Sequence, residues 1–264
     1  MNFGLQGKLA VVTGSTAGIG FSIAATLAQE GGRVVINGRT QTRVDNALEK
    51  LRQANRGAEF TGVAADLSTV SGVDAFLKAV PVCDILINNL GIFEVKPFLE
   101  ITDSDWQRFF DTNILSGVRL SRHYLSNMLK KNWGRIIFIS SESAQQIPKE
   151  MVHYGVTKTA QVALASGIAR SVAKTGVTAN TILAGPTASE GVETFLRDVA
   201  RQQGISPAEM EKQFFTTARG TSLLQRFETP EEIAAVVAFV ASTQAAIING
   251  AAIRAEGGVV LSIF

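Results

Sequence analysis

A doubly wound α/β fold is the architecture this 264-residue chain predicts, and three observations carry that expectation. Short apolar runs of strand length recur seven times, and stretches with apolar residues at helical spacing separate them. The first strand-to-helix junction is a glycine-rich turn, Gly14-Ser15-Thr16-Ala17-Gly18-Ile19-Gly20. No linker, repeat or shift in composition breaks the alternation. Residues 1–264 are therefore expected to form one α/β domain, a seven-stranded, mostly parallel sheet with helices on both faces.

The first strand is Lys8-Leu9-Ala10-Val11-Val12-Thr13, stopped by Gly14. Beyond the turn, Phe21, Ile23, Ala24, Leu27 and Ala28 recur at helical spacing. In that context the glycines let backbone amides approach a pyrophosphate, and the helix start adds partial positive charge. A plain glycine turn is the alternative, and the spacing is G-x-x-x-G-x-G rather than G-x-G-x-x-G. Arg33-Val34-Val35-Ile36-Asn37 is the second strand, followed by a helix over 40–54 with Val44, Ala47, Leu48 and Leu51 on one face. About twenty residues after such a turn, NAD-binding folds carry an acid for the ribose 2′-hydroxyl. Asn37-Gly38-Arg39 stands there instead. Arg39 suits a 2′-phosphate through bidentate hydrogen bonds, which favours NADP(H) over NAD(H); an exposed arginine at a strand end is the plainer alternative.

A third strand over 59–64 ends at Asp66-Leu67, and Ser68 is expected to cap the helix running to about 79. Asp84-Ile85-Leu86-Ile87 is the fourth strand, broken by Asn88-Asn89-Leu90-Gly91. Paired asparagines there hold a turn open beside a cofactor, or make an Asx turn with no ligand. Thr102 caps a helix containing Trp106, Phe109, Phe110 and Asn113, whose aromatic stripe reads as core or as a face for a partner helix. A helix over about 117–131 leads to the fifth strand, Arg135-Ile136-Ile137-Phe138-Ile139, and then to Ser140-Ser141-Glu142-Ser143.

The next helix, reaching about 174, carries Tyr154 and Lys158, four apart and so on one face. An ammonium beside a phenol favours the phenolate and draws its pKa down from ~10 towards working pH. Alone, the pair reads as the start of a surface helix. A sixth strand over 177–182 is followed by Ala184-Gly185-Pro186-Thr187. The more polar segment at about 187–227, with helical patterns near 192–200 and 207–215, is expected to be a substrate lid. Its apolar Phe195, Phe214 and Phe215 suit a hydrophobic lid, or helix faces packed on the rest of the chain. Thr229 and Pro230 start a helix to about 241, and a seventh strand over 251–255 leads to Gly257-Gly258.

Composition narrows the classes of function. Hydrophobic residues make up 46% and charged residues 18%, as in ordinary globular proteins with ample core. The net charge of +2 is dispersed, which argues against nucleic acid or an acidic membrane surface. Cys83 is the sole cysteine, and His123 and His153 the only histidines, so no internal disulfide can form and no metal site is expected. The N-terminus lacks a signal-peptide core, and the uncharged span 233–253 is broken by Ser242, Thr243, Gln244, Asn249 and Gly250. A cytoplasmic protein with no membrane partner is expected.

Taken together, Thr13-Gly14-x-x-x-Gly18-Ile19-Gly20, Asp66, Asn88-Asn89-Leu90-Gly91, Asn113, Ser141 and Tyr154-x-x-x-Lys158 resemble the short-chain dehydrogenase/reductase family over essentially the whole chain. Ser141 precedes Tyr154 by thirteen residues, the interval common in the family, and is chosen over Ser140. The Tyr-Lys spacing is shorter than in enoyl-reductase relatives. Departures are Leu90 for the usual alanine, Ala184-Gly185 for Pro-Gly, and Arg254-Ala255-Glu256-Gly257-Gly258 for Val-Asp-Gly-Gly. Ala17 stands where NADP-preferring members often have a basic residue.

The resemblance implies a Rossmann-type oxidoreductase moving a hydride between NADP(H) and a carbonyl or secondary alcohol, 3-oxoacyl compounds among the conceivable substrates. It implies catalytic roles for Tyr154 as proton donor or acceptor and Lys158 as its pKa modulator and ribose ligand. Ser141 would polarise the substrate oxygen, and Asn113 would hold a relay water. Gly14, Ser15, Thr16, Gly18, Ile19 and Gly20 would line the phosphates, and Asp66 and Leu67 the adenine. Asn89 and Gly91 would lie near a ribose, and Gly185 and Thr187 by the carboxamide. Glu142, Ser143, Gln145 and Met151 would join the lid in shaping the substrate pocket. The family's habit implies a homo-oligomer, dimer or tetramer, with the helices over about 103–131 and 154–174 at one interface and the last strand at another. A dinucleotide-binding regulatory protein without turnover is the alternative from another class, and a lyase or epimerase on the same site is a third.

Overall fold

The computed structural model describes residues 2–263, apart from the side chains of Phe195 and Gln202. In chain order the elements are β1 Leu9–Val12, α1 Gly18–Gln29, β2 Arg33–Gly38, α2 Gln41–Ala54, β3 Phe60–Ala64, α3 Val70–Ala79 and β4 Ile85–Asn88. There follow α4 Asp103–Phe110, α5 Ser116–Lys130, β5 Gly134–Ser141, α6 Val152–Ser171 and β6 Val177–Ala184. The chain closes with α7 Glu190–Gln203, α8 Pro207–Thr217, α9 Pro230–Ala241 and β7 Ala252–Ala255.

Alternating side chains explain the layers. Ala10, Val12, Val34, Ile36, Ile85, Ile87, Ile137, Ile139 and Ile182 share one buried cluster with apolar residues of α1, α2 and α9. Their neighbours Val11, Val35, Leu86, Ile136, Phe138 and Ala179 share a second cluster with residues of α3, α5 and α6. β5 and β6 are buried along their whole length, as central strands covered on both faces must be.

The sheet has the order β3-β2-β1-β4-β5-β6-β7, and every pairing is parallel, where the sequence promised only a mostly parallel sheet. Strand order reverses between β1 and β4, which opens a crevice at their carboxyl ends. Two local expectations change. Thr69, not Ser68, caps α3: its hydroxyl accepts from the Gly72 amide at 3.0 Å, while the Ser68 hydroxyl donates to Asp66 at 2.7 Å. α4 and α5 are joined by a π-helical segment, Asp111–Leu115, that carries Asn113.

α7 and α8 occupy the 187–227 segment, which rejoins the sheet end through the bridge between Thr187 and Glu228. Phe214, Phe215 and Phe227 pack together with ring centroids 5.0–5.1 Å apart.

Candidate active site

The crevice begins at the glycine turn. Ala17, the residue before α1, makes no side-chain cap, and no acid stands in the first turn of the helix. Its leading amides are therefore open to an anion, whereas Thr40, Thr69, Thr102, Ser189, Ser206 and Thr229 cap the helices that follow them. Gly18 has φ +56°, and a Cβ there would come within 3.2 Å of the Ser189 Cβ. A Cβ on Gly20 would stand 2.5 Å from Asn89 Nδ2 and 2.6 Å from Gly14 O, so only glycine lets α1 seat against its own turn and Asn89. Asn89 Nδ2 donates to Thr13 O at 2.9 Å and Gly14 O at 3.0 Å, and Thr13 Oγ1 accepts from the amides of Asn89 and Leu90. The paired asparagines thus hold the turn in shape. These are the open amides and glycine-only cradle that a pyrophosphate requires.

The groove beyond the turn is lined by Gly14, Thr16, Ala17, Asn37, Gly38, Arg39, Arg43, Ala65, Leu67 and Leu90. A neighbouring groove adds Gly18, Ile19, Gly20, Asn89, Ser189 and Glu190. Asn37 is structural: its amide donates to Val63 O and Ala65 O at 3.2 and 3.1 Å, and its Oδ1 accepts from Gly14 N. Ser15 is likewise buried, its hydroxyl spent on Val12 O and the Asn37 amide. Asp66 is exposed and absent from that lining; its carboxylate holds the Ser68 amide and hydroxyl. Arg43, four residues past Arg39, lines both grooves and was not singled out from the sequence.

At the other end lies a cavity of about 240 Å³. Asn89, Gly91, Ser141, Glu142, Ser143, Met151, Tyr154, Lys158, Gly185 and Thr187 all line it, as do Phe214, Arg219 and Phe227. The side chain of Phe195 lies outside the described residues. β5 delivers Ser141 at its last position; Ser140 also borders the cavity, but its hydroxyl donates to Lys158 O at 2.8 Å and pins α6 to the strand. That division of labour supports Ser141 as the serine of the site.

Lys158 shares the face of α6 with Tyr154, as the i,i+4 spacing suggested, but its hydrogen bonds go elsewhere. Its ammonium donates to Ile139 O at 2.9 Å and Gln161 Oε1 at 3.3 Å, and lies 5.5 Å from the centroid of the Tyr154 ring. The expected depression of the phenol by Lys158 is absent: burial pushes Tyr154 well up, the Glu142 charge adds to this, and a hydrogen bond with Ser141 and the Arg219 charge oppose it. Spacing on a helix sets a shared face, while the flexible lysine stem follows the acceptors it finds. Burial lowers Lys158 to about 8, against the pull of Glu142.

Asn113 is fully engaged as well. Its side chain clasps the amide and carbonyl of Ile92 at 2.8 and 3.1 Å and donates to Thr157 Oγ1 at 2.9 Å. Its carbonyl accepts from Gln161 Nε2 at 2.8 Å, so Gln161 bridges Asn113 and Lys158 directly. Gln161 was missed in the sequence, although its place three residues past Lys158 puts it on the same helical face.

Comparison with known proteins decides the family. Residues 8–200 match the model described as short chain dehydrogenase. The chain is a short-chain dehydrogenase. The dehydrogenase is 46% identical over 264 residues to the Bacillus subtilis protein named uncharacterized oxidoreductase YvaG, with all of both chains covered. It is 31% identical to the 3-oxoacyl-[acyl-carrier-protein] reductase FabG of Vibrio cholerae, over 96% of this chain and 98% of that one. Among solved structures, L-sorbose reductase from Gluconobacter frateurii, complexed with NADPH and L-sorbose, superposes with a TM-score of 0.93 at 30% identity, covering 100% of each chain. The dehydrogenase is thus an oxidoreductase acting on CH–OH and C=O groups, as its family is.

Proposed function

We propose that the dehydrogenase is a reductase of ketones, reversible to oxidation of secondary alcohols, that uses NADP(H) in preference to NAD(H). The observation that carries this reading is the convergence of Ser141, Tyr154 and Lys158 on one cavity continuous with a glycine-lined, arginine-bearing crevice. When bound, the nicotinamide supplies or accepts the hydride. Gly14, Thr16, Gly18, Ile19 and Gly20 hold the phosphates, with Ser15 fixing the turn from beneath. Arg39 and Leu67 lie at the adenosine end, Asn89 and Gly91 near the ribose, and Gly185 and Thr187 beside the carboxamide. Asn37 in place of an acid, with Arg39 two residues on, supports the phosphorylated cofactor.

Tyr154, kept protonated by burial, donates its proton to the substrate oxygen during reduction, and Ser141 orients that oxygen. Lys158, lowered to about 8, exchanges a proton near neutral pH and returns Tyr154 to its starting state. Asn113 and Gln161 hold the lysine in place. The 187–227 segment serves as the lid, with Phe214 and Phe227 as its apolar lining. Leu223, Leu261 and Ile263 stand 75–86% exposed near the outer edge of β7, a surface suited to a second copy in a homo-oligomer.

Tyr154→Phe tests the chemistry with NADPH and a panel of ketones, keto esters and ketoses. Turnover is expected to fall about a thousandfold, with NADPH binding within a few fold of wild type. A variant retaining a tenth of its activity on several substrates overturns the assignment. Arg39→Ala tests the cofactor: NADPH affinity should fall about tenfold or more while NADH affinity holds. An unchanged NADPH preference removes Arg39 from the site.

A further inference from the structure

One buried acid in the cavity is not needed for any step above. Glu142 follows Ser141 directly, opens a single 3₁₀ turn, and is 4% exposed. Both its oxygens are engaged. Oε2 accepts from the Ser141 hydroxyl, and Oε1 accepts from the Ser143 hydroxyl at 3.2 Å and from Arg219 Nε at 2.8 Å. Arg219 comes from the lid, just past α8, and donates its Nη1 to Ala218 O at 2.8 Å. The pair is the most enclosed ion pair among the described residues, with side chains 13% and 5% exposed. The other pairs that tie the lid to the rest of the chain, Arg43–Glu190 and Arg226–Glu232, keep about half or more of each side chain in solvent.

We propose that Glu142 is a positioning residue: clamped by Arg219 from the lid, it holds the Ser141 side chain beside Tyr154, so that lid closure and assembly of the serine are a single event. The proposal rests on the reading that Ser141 and Tyr154 act on the substrate oxygen. A hydroxyl on a single bond rotates freely; the Ser141 Oγ accepts from the Ser143 amide at 3.1 Å, and Glu142 adds the second hold on it. A buried carboxylate tolerates its charge only with a cation in contact, so the arrangement is complete when Arg219 is docked and incomplete when the lid swings away.

Three charged groups surround Tyr154: Glu142 on the turn after β5, Arg219 beyond α8, and Lys158 one turn along α6. Glu228 stands behind Glu142, near enough to feel its charge. Removing the Glu142 charge and removing the Arg219 charge should therefore move the tyrosine in opposite directions, and a loss of kcat with KM held separates positioning of the serine from a merely structural pair.

The test compares Glu142→Gln, Arg219→Ala and Arg219→Lys with wild type and Tyr154→Phe, using NADPH-dependent reduction of 2,3-butanedione and ethyl acetoacetate from pH 6 to 10. Glu142→Gln should lower kcat about ten- to a hundredfold, with KM within about threefold and NADPH Kd unchanged. Arg219→Ala should lower kcat likewise, and Arg219→Lys should recover most of it; Tyr154 itself should ionise at lower pH in Glu142→Gln and at higher pH in Arg219→Ala. A substrate-free reading uses Cζ-labelled tyrosine, since the chain has two tyrosines and Tyr124 is buried on Val80 O at 2.8 Å. The Tyr154 signal should ionise at lower pH in Glu142→Gln than in wild type. Wild-type kcat in Glu142→Gln, or shifts of one sign in both charge-removing variants, overturns the proposal. If Tyr154→Phe is inactive while Glu142→Gln behaves as wild type, this inference alone fails; if Tyr154→Phe keeps turnover, the underlying function fails.

Discussion

Replacing Glu228 with glutamine should stabilise the protein at pH 7.5 and leave it unchanged at pH 4.5. Glu228 is 4% exposed; its Oε2 accepts from Gly185 N at 3.1 Å, and its Oε1 has no partner among the described residues. Burial pushes the carboxyl up to about 7 from an ordinary 4.5, the Gly185 hydrogen bond opposes this, and the charges of Glu142, Glu256 and Glu232 add to it. The folded state therefore disfavours the ionised form. Below pH 4.5 the group is protonated folded or unfolded and costs nothing; as pH rises to about 7 only the unfolded chain ionises freely, and stability is lost. At about 1.4 kcal/mol per tenfold change in proton affinity, the loss reaches about 3 kcal/mol as an upper bound. Glutamine keeps the acceptor for Gly185 and cannot ionise. Urea titrations at pH 4.5, 6 and 7.5 should show the variant gaining on wild type through that window, with equal m-values. His153, which burial depresses, and Lys158, which titrates near 8, affect both proteins alike and cancel in the difference. Parallel stability curves for the two proteins would show that Glu228 is not held protonated and refute the reasoning.

Two further outcomes are expected. Gly18→Ala should weaken NADPH binding about tenfold or more with little loss of secondary structure, because the positive φ and the Ser189 contact distort the phosphate turn; isothermal titration and circular dichroism check both halves. Asn37→Ala should lower stability by about 2–4 kcal/mol in urea, since it strips hydrogen bonds from the Gly14 amide and the Val63 and Ala65 carbonyls inside the sheet end.

Much of the fold was legible because strand and helix periodicities are properties of neighbouring residues. The apolar runs ending at Thr13, Ile87 and Ile139 read as strands, and Thr102 and Thr229 read as helix starts, where the structure adds a capping box to each. Serine and threonine side by side at 68–69 could not be ranked, because Asp66 decides the matter by taking Ser68 for its own turn. The aromatic stripe of α4 was left open between core and partner face; Phe109 is buried, its ring 4.0 Å from that of His153, which fills the position beside Tyr154. What sequence did not convey lies between distant segments. Lys158 chose Ile139 O and Gln161 over the phenol, and the Glu142–Arg219 pair closes over 77 positions. Glu228 acquires its character from burial, from Gly185 and from three other carboxyls, Glu142 and Glu256 among them far along the chain.

The hold of Asn89 on Thr13 and Gly14 has a consequence for how the molecule comes into being. The glycine turn is encoded within seven residues, yet its shape is fastened by a side chain that arrives 75 positions later, just past the strand that pairs with β1. On a growing chain, the turn is made early and remains unset until β4 emerges and docks. A fragment ending before residue 85 carries the motif without its geometry, so cofactor retention reports long-range strand pairing rather than a local loop. Refolding followed by cofactor fluorescence should lag behind the signal from the helices, and the delay measures the time needed to bring β1 and β4 together.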